Sequence, residues 1–406
     1  MKYLDSLSPL SGKRIAIHVK PAAERALRAG HPWLFAEAIR QQSHEGQPGD
    51  LAVVFDSKRR FLAIGLYDPH SPIRIKVLQH HQPAVIDSDW FTNRLQAAAD
   101  IRQPLLTQQT NGFRLVHGEN DGLPGLIIDR YADVLAIKLY TAAWLPHLHH
   151  VITGLQAVQP FDRLVLRISR NIETITSQHG LYDGCILMGD ELHTPVIFQE
   201  NGLNFAADVV HGHKTGFFFD QRENRARVRT LSAGRRVLDV FAYSGGFSVY
   251  AAAGGAASVM SLDASAPALE AAQANFALNP NHTQHKILVG DAFECLEQLR
   301  ADSQTFDMVI VDPPSFAKSA TEIRQALAAY TRLTRLALHV LEPGGIFVMA
   351  SCSSRVTADD FSNTVAQTAA GIGRPLAKVA QTSHALDHPI GFPEGEYLKC
   401  IFATAP

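Results

Sequence analysis

The chain has 406 residues, 46% hydrophobic and 8% aromatic, which gives two or three domains at about 150 residues each and excludes a disordered polymer. Lys and Arg number 37 against 39 Asp and Glu, a net charge of −2, so neither a wholly basic nucleic-acid coat nor a polyacidic tail is present. Four scattered cysteines (Cys185, Cys295, Cys352, Cys400) form no C-x-x-C pair, which argues against a disulfide scaffold or a cysteine-rich zinc site and for a reducing cytoplasm.

In chain order, the opening MKYLDSLSPLSGKR lacks an apolar core of signal-peptide length. Residues 1–80 carry 12 Lys/Arg and 7 Asp/Glu, net +5, so the remaining residues carry −7. A basic first module on an acidic body points to contact with a polyanion, though a solvated basic hairpin has the same charge. Within it LAVVFD, RFLAIGLYD and IRIKVLQ read as short strands, with Arg59 and Arg60 at a turn between two of them.

Residues 81–190 read as a small α+β region. A helix over DWFTNRLQAAADIRQ is followed by strands FRLVHGE, LPGLIIDRY and VLAIKLY, a helix near 145–158 and the strand RLVLRIS. Asn120-Asp121-Gly122 between the first two strands predicts a tight hairpin turn, because glycine accepts positive φ.

From about 235 the pattern becomes strict alternation. RRVLDVF, ASVMSLDA, HKILVGD, DMVIVDP and GGIFVMAS predict five buried strands with helices between them, hence a parallel sheet covered on both faces. LAKVAQTSHALD and YLKCIFATA add two further strand-like segments. The 23 uncharged residues between Asp239 and Asp263 could span a bilayer by length alone. Their paired glycines and four serines fit a strand, turn, helix and strand of a water-soluble domain instead.

In such sheets ligands bind at the carboxyl ends of the strands. The first strand ends Asp239-Val-Phe-Ala-Tyr-Ser-Gly245-Gly246, where the glycine pair would let backbone approach a ligand. Asp263 and Asp291 end the second and third strands and could accept from ribose hydroxyls and an adenine amino group. A dinucleotide would call for G-x-G-x-x-G, and only S-G-G-F is present; an acid before the glycines suits the cationic end of S-adenosylmethionine (SAM). Each aspartate alone would more often be a strand-end cap, but three at successive ends favour a ligand.

The fourth strand ends Asp312-Pro313-Pro314-Ser315-Phe316, a stiff turn whose acid faces the same mouth. The fifth ends Ala350-Ser351-Cys352-Ser353. Most free cysteines are inert core residues. At this position a thiol could instead serve as the nucleophile that methylation at a pyrimidine C5 requires, adding to C6 so that C5 can take the methyl group.

Taken together, His31-Pro32-Trp33, GENDGLPGLIIDRY (118–131), HGHKTGFFFDQR (211–222), the 239–247 loop, DPPSF, SCS and DHP…PEGEYLK (387–399) resemble the bacterial large-subunit ribosomal RNA methyltransferase I family over nearly the whole chain. The resemblance implies a PUA-like RNA-binding β-barrel at 13–80, a central α+β domain at 81–190, and a Rossmann-like class I SAM methyltransferase domain at 191–406. It places SAM over Asp239, Phe241, Gly245, Asp263, Asp291 and Asp312, with Gln221 nearby, and calls for no metal. It makes Cys352 the nucleophile and Asp312 the partner of a cytosine N3/N4 edge. Arg59, Arg60, Lys214 and Arg222 become candidates for RNA phosphate, with His211 and His213 beside them. The expected substrate is an unstacked or single-stranded cytosine of 23S rRNA, the expected location cytoplasmic, and a homodimer is compatible with it. Two alternatives stay open: a methyltransferase acting on a base nitrogen of the guanine N7 type, and a non-catalytic RNA-binding ribosome-assembly factor. Ser244, Ser354 and Cys400 depart from the family pattern, where Thr, Gly and Gly are common.

Overall fold

The computed structural model describes residues 12–317 and 319–406; most of the opening segment read for a signal core lies outside them. Two compact units are formed: residues 1–199, 207–219 and 386–395 make the first, and 200–206, 220–385 and 396–406 the second.

The first unit begins with β1 (Ile15–Val19), α1 (Pro21–Arg28), β2 (Trp33–Phe35), β3 (Ile39–Gln42), β4 (Leu51–Phe55), β5 (Phe61–Tyr67) and β6 (Ile73–His80). These strands form one sheet in the order β2-β6-β5-β4-β1-β3. Alternate residues of β1 and β4 face inward, and Ile15, Ile17, Val54, Tyr67 and Ile75 fill the core between them. The sequence marks three of these six strands, β4 to β6; β2 and β3 have only three and four residues, too few for a periodic signal, and β1 goes unmarked although it alternates.

A second sheet follows. It is built from α2 (Ser88–Thr107), β7 (Gly112–His117), β8 (Leu126–Tyr131), β9 (Val134–Leu139), α3 (Leu148–Val158), β10 (Arg163–Ile168), α4 (Glu173–Ser177) and β11 (Cys185–Met188), with strand order β11-β10-β9-β8-β7. The Asp87 carboxylate caps α2 by accepting from Trp90 N–H at 3.0 Å. β7 and β8 form the expected antiparallel hairpin, but the link between them is longer than a tight turn. A 3₁₀ turn at Gly118–Asp121 stands there, with Gly122 at φ 73°. The reason is tertiary: Asp121 is held bidentately by the buried Arg102 at 2.8 and 2.7 Å and accepts from His117 N–H at 2.6 Å.

The chain continues through β12 (Val196–Glu200) and β13 (Leu203–Ala207) into the second unit. That unit contains α5 (Arg222–Leu231), β14 (Arg236–Val240), α6 (Gly246–Ala253), β15 (Ser258–Asp263), α7 (Ala266–Ala277), β16 (Gln284–Val289), α8 (Ala292–Ala301) and β17 (Phe306–Val311). It closes with α9 (Ile323–His339), β18 (Leu341–Ser351), α10 (Ala358–Gly371), β19 (Ala377–Thr382) and β20 (Lys399–Thr404). The seven-stranded sheet has the order β16-β15-β14-β17-β18-β20-β19. Strands β14 to β18 are mutually parallel as expected, and β20 joins β18 antiparallel. Helices α5, α6 and α7 pack against one another, as do α8, α9 and α10. Leu238, Val240, Val309, Val311, Phe347 and Met349 form the apolar centre with Leu333 and Phe361. Full burial is worth about 1.5–3 kcal/mol for each large side chain. One expectation is corrected: β16 is not a buried strand, because it lies at the sheet edge and leaves Gln284, Lys286 and Val289 exposed. No helix among the described residues is long and apolar enough to cross a membrane, and the uncharged 240–262 stretch forms strand, loop, helix and strand.

Candidate active site

Because β14 to β18 are parallel, their carboxyl ends share one edge, and the strand order reverses between β14 and β17. That reversal opens a crevice where a ligand can enter. The antiparallel register Ser351↔Lys399 brings the residues before β20 to the same edge.

Asp239, one residue before the end of β14, is 0% exposed. Its Oδ2 accepts from Ser248 Oγ at 2.7 Å, and its Oδ1 has no hydrogen-bond partner among the described residues. Burial pushes its pKa up to about 7; Asp263 adds to the rise, and the Ser248 bonds oppose it. The following loop is strained, with Phe241 at φ 67°, Tyr243 at 48° and Gly245 at 76°. Non-glycine residues enter this region only when their surroundings hold them there. Here Phe241 and Ala242 N–H both bond Leu262 O at 2.9 and 3.0 Å, and Tyr243 N–H bonds Asp263 Oδ2 at 2.9 Å. The glycine pair answers first to packing within the protein. A Cβ on Gly245 would lie 2.8 Å from the Ala272 Cβ of α7, and one on Gly246 would lie 3.1 Å from Arg225 Cδ.

Asp263 and Asp291 also cap backbone. Asp263 Oδ1 accepts from Ser265 N–H at 2.9 Å, and Asp291 Oδ1 accepts from Phe293 and Glu294 N–H at 2.9 and 3.2 Å. The capping and ligand readings are therefore compatible, since each carboxylate has four lone-pair sites.

Asp312 follows β17, its N–H bonded to Val240 O at 3.2 Å, beside Asp239 across the crevice. Burial, then the carboxylates of Asp220 and Asp239, push its pKa up to about 7; the Gln221 amide, donating to Oδ1 at 2.8 Å, pulls it back. Gln221 is oriented in turn by Asn224, whose Nδ2 donates to Gln221 Oε1 at 2.6 Å, and Thr382 Oγ1 donates to Asn224 Oδ1. Cys352, half-buried just past β18, lies with Sγ 3.8 Å from Pro313 O, at the Asp-Pro-Pro turn. The loop after it is tied down by the buried Lys399, whose ammonium donates to Val356 O at 2.7 Å, to Tyr397 O at 3.0 Å and to Ser353 O. Burial lowers the Lys399 pKa to about 8, while Cys352 and Glu396 act in the opposite direction. A cation fixed here favours the thiolate form of a neighbouring cysteine.

The fold thus brings Asp239, Phe241, Gly245, Asp263, Gln221, Asp312 and Cys352 to one edge of one sheet, with Asp291 heading α8 just after the edge strand β16, two strands from β14. One RNA candidate is corrected. Arg222 heads α5 with its side chain 0% exposed, so its guanidinium does not reach a phosphate outside the protein. Arg59 is exposed at a turn with φ 59°, whereas Arg60 is drawn to Asp56 at 2.7 Å, which also holds Arg28. Lys214 is exposed at φ 58°, its ammonium 4.3 Å from the Phe218 ring centre. Sequence reasoning missed Asn224, Lys399 and the Tyr397 hydroxyl, which donates to Asp220 Oδ2 at 2.9 Å. It also missed the buried pair Glu200–Arg225, bonded twice at 2.8 Å and joined by Tyr250 OH at 3.0 Å. No spacing signal joins residues so far apart in the chain. Among the described residues no group of three or more His, Cys, Asp or Glu could hold a metal ion.

A family model for S-adenosylmethionine-dependent methyltransferases matches residues 168–393, and a PUA-like domain model matches 17–80. A ribosomal RNA large subunit methyltransferase of Deinococcus radiodurans is 48% identical over 398 residues, 97% of this chain and 98% of that protein. The ribosomal RNA large subunit methyltransferase I of Shewanella denitrificans is 38% identical over 397 residues, 96% and 99% of the two chains. The chain belongs to the ribosomal RNA large subunit methyltransferase I family. Two solved structures assigned as methyltransferases, one from Streptococcus mutans and one complexed with SAH, superpose with a TM-score of 0.81 over 96% of this chain and 99% of theirs. At 21% and 22% identity they show the shared fold.

As in other members of the methyltransferase I family, the cofactor is SAM, which supplies the methyl group. The residues fit it: a fully buried carboxylate with an unsatisfied oxygen at the crevice suits a cationic ligand and would be costly without one. The same burial has a consequence for stability. Asp239 and Asp312 both titrate near pH 7 when folded, against about 3.9 unfolded, so the folded state holds more protons between pH 4 and 7. Stability of the cofactor-free protein is therefore expected to fall as pH rises through that window. Asp239→Asn should flatten the fall and raise the stability at pH 8 by up to about 4 kcal/mol for a three-unit shift, seen as a higher Tm. Thermal melts at pH 5.5 and 8 check this; an equal pH dependence in both proteins would disprove it.

Proposed function

We propose that the protein methylates C5 of a cytosine in 23S ribosomal RNA, with Cys352 as the attacking nucleophile. One observation carries the reading: the only half-buried thiol at a strand's carboxyl end among the described residues faces the Asp-Pro-Pro turn that carries Asp312. In this reading Cys352 Sγ adds to C6 of the base while Asp312, its proton retained near neutral pH, donates to the N3 edge. The addition makes C5 electron-rich enough to take the methyl group. Loss of the C5 proton and departure of the sulfur then restore the ring. Because the sulfur must reach a ring face, the base has to be unstacked or single-stranded. SAM would lie against Asp239, the strained 241–245 loop, Asp263 and Asp291, with Gln221 fixing the Asp312 carboxyl between cofactor and base.

The test is mass spectrometry of rRNA from a strain lacking the protein. A lost 5-methylcytosine in 23S rRNA, restored by the wild-type gene, supports the reading. A lost base-nitrogen methyl group, such as on guanine N7, replaces it with the rival chemistry, and no lost mark favours an assembly role.

RNA affinity is assigned to the first unit through Lys214 and Arg59. Deleting residues 1–80 is a poor test, because Ile64, Leu66 and Leu78 of β5 and β6 share one buried cluster with Phe91 and Trp144. Point changes avoid that damage. Lys214→Glu should weaken RNA binding at every sequence tested and reduce the slope of log K against log salt by about one. Fluorescence anisotropy across 50–300 mM salt measures it, and an unchanged slope would remove Lys214 from the interface.

A further inference from the structure

A continuous line of hydrogen bonds leaves Asp239 away from the crevice. Ser248 Oγ of α6 lies 2.7 Å from Asp239 Oδ2, Ser261 Oγ of β15 lies 2.6 Å from Ser248 Oγ, and His285 Nε2 of β16 lies 2.8 Å from Ser261 Oγ. Asp239, Ser248 and Ser261 are all 0% exposed, whereas His285 on the edge strand is partly exposed. Its ring stacks on Phe276 with centres 4.1 Å apart and planes at 11°. The line therefore runs from a sealed carboxylate to the rim of the protein through four groups that can each pass a proton.

Each hydroxyl has one proton, so the direction of the whole line is set at its end. With Asp239 ionised, Ser248 donates to it, Ser261 donates to Ser248, and His285 donates from Nε2. With Asp239 protonated on Oδ2 every bond reverses, and His285 accepts at Nε2 and carries its proton on Nδ1. Both arrangements satisfy every bond. They differ by one proton on Asp239.

We propose that this Ser248–Ser261–His285 relay carries to the surface the proton that Asp239 gives up when cationic SAM seats against it. The proposal rests on the reading of Asp239 as the anionic contact of the cofactor. The transfer balances: Asp239 passes its proton to Ser248, Ser248 to Ser261, and Ser261 to His285 Nε2, after which His285 releases its Nδ1 proton to water. Other charges face Asp239 from the packed elements: Asp263 after β15, Asp312 after β17, and Arg225 of α5, already held by Glu200. The first two favour the protonated carboxyl before the cofactor arrives. Burial, which pushes the His285 pKa down to about 4, keeps the imidazole neutral between transfers. The relay matters because Asp239 is 0% exposed, so the hydrogen-bonded line to partly exposed His285 is its route to water.

Stopped-flow mixing of the full-length protein with SAM at pH 7, with a pH indicator and intrinsic fluorescence read together, tests the idea. The wild type is expected to release about half a proton in step with binding, as a group with pKa near 7 must when fully ionised. Ser261→Ala and His285→Gln should release it at least tenfold later than binding. The glutamine is the decisive variant, since it keeps a hydrogen bond to Ser261 and cannot relay a proton. Release in step with binding in both variants would overturn the relay while leaving the Asp239 contact intact. No release in the wild type would show Asp239 already ionised before SAM binds and would also overturn the relay, whereas release and affinity unchanged in Asp239→Asn would instead remove Asp239 from the cofactor site.

Discussion

On the proposed mechanism, Cys352→Ala is expected to abolish methyl transfer, by at least about a thousandfold, because among the described residues no other cysteine lies at this strand edge to add to C6. SAM affinity should stay within about twofold of wild type, since the thiol is assigned to the base and the proposed cofactor contacts follow β14, β15 and β16. RNA carrying 5-fluorocytosine at the target sharpens the experiment. Fluorine cannot leave as the C5 proton does, so a covalent protein–RNA adduct should accumulate with SAM present and be seen as a band shift on denaturing gels. The alanine variant should form none. Full activity in Cys352→Ala would make the cysteine a packing residue and favour methylation at a base nitrogen. Lys399→Met gives a graded companion result. With the cation gone from the loop after Cys352, the rate of adduct formation should fall and its pH midpoint should rise.

Asp263→Ala is expected to weaken SAM binding by about 30- to 150-fold, or 2–3 kcal/mol, measured by isothermal titration. Two effects combine in one carboxylate. Its free lone pairs would accept the ribose hydroxyls, and its Oδ2 already holds Tyr243 N–H at 2.9 Å, at a residue with φ 48°. Losing the side chain therefore removes a ligand acceptor and releases a strained loop that borders the site. Asp263→Asn separates the two, because an amide oxygen can still accept from Tyr243 but one acceptor position becomes a donor. An intermediate affinity is expected for it. Affinity unchanged in the alanine variant would exclude Asp263 as the ribose contact.

The alternation of strand and helix from residue 235 is plain in the sequence because a parallel sheet buries whole strands, leaving short runs such as MVIV and IFVM between Ala-rich and charged helical stretches. Asp239, Asp312 and Cys352 were legible for the same reason. Each is the polar residue that ends or follows such a run, and parallel strands put those ends together. The PUA-like module was harder to read. Two of its six strands have only three and four residues, too few for period-2 alternation to stand out. The Asp-Gly signal at 120–122 held for the hairpin and for the positive φ of Gly122, but not for the tightness of the turn, where a buried arginine 19 residues upstream holds the Asp121 carboxylate.

By itself the sequence determined which residues could do chemistry and on which class of sheet they would sit, since hydrophobic period and strand-end position are local properties. Only the tertiary structure decided what state those residues occupy. It turned Arg222 from an expected phosphate contact into a buried helix residue, and it explained Gly245 by the neighbouring Ala272 before any ligand. It raised Asp239 and Asp312 toward pH 7 and aligned Ser248, Ser261 and His285 behind one of them. Desolvation, charge proximity and hydrogen-bond direction depend on groups that lie tens of residues apart in the chain and meet only when the sheet forms. No local pattern of residues can encode them.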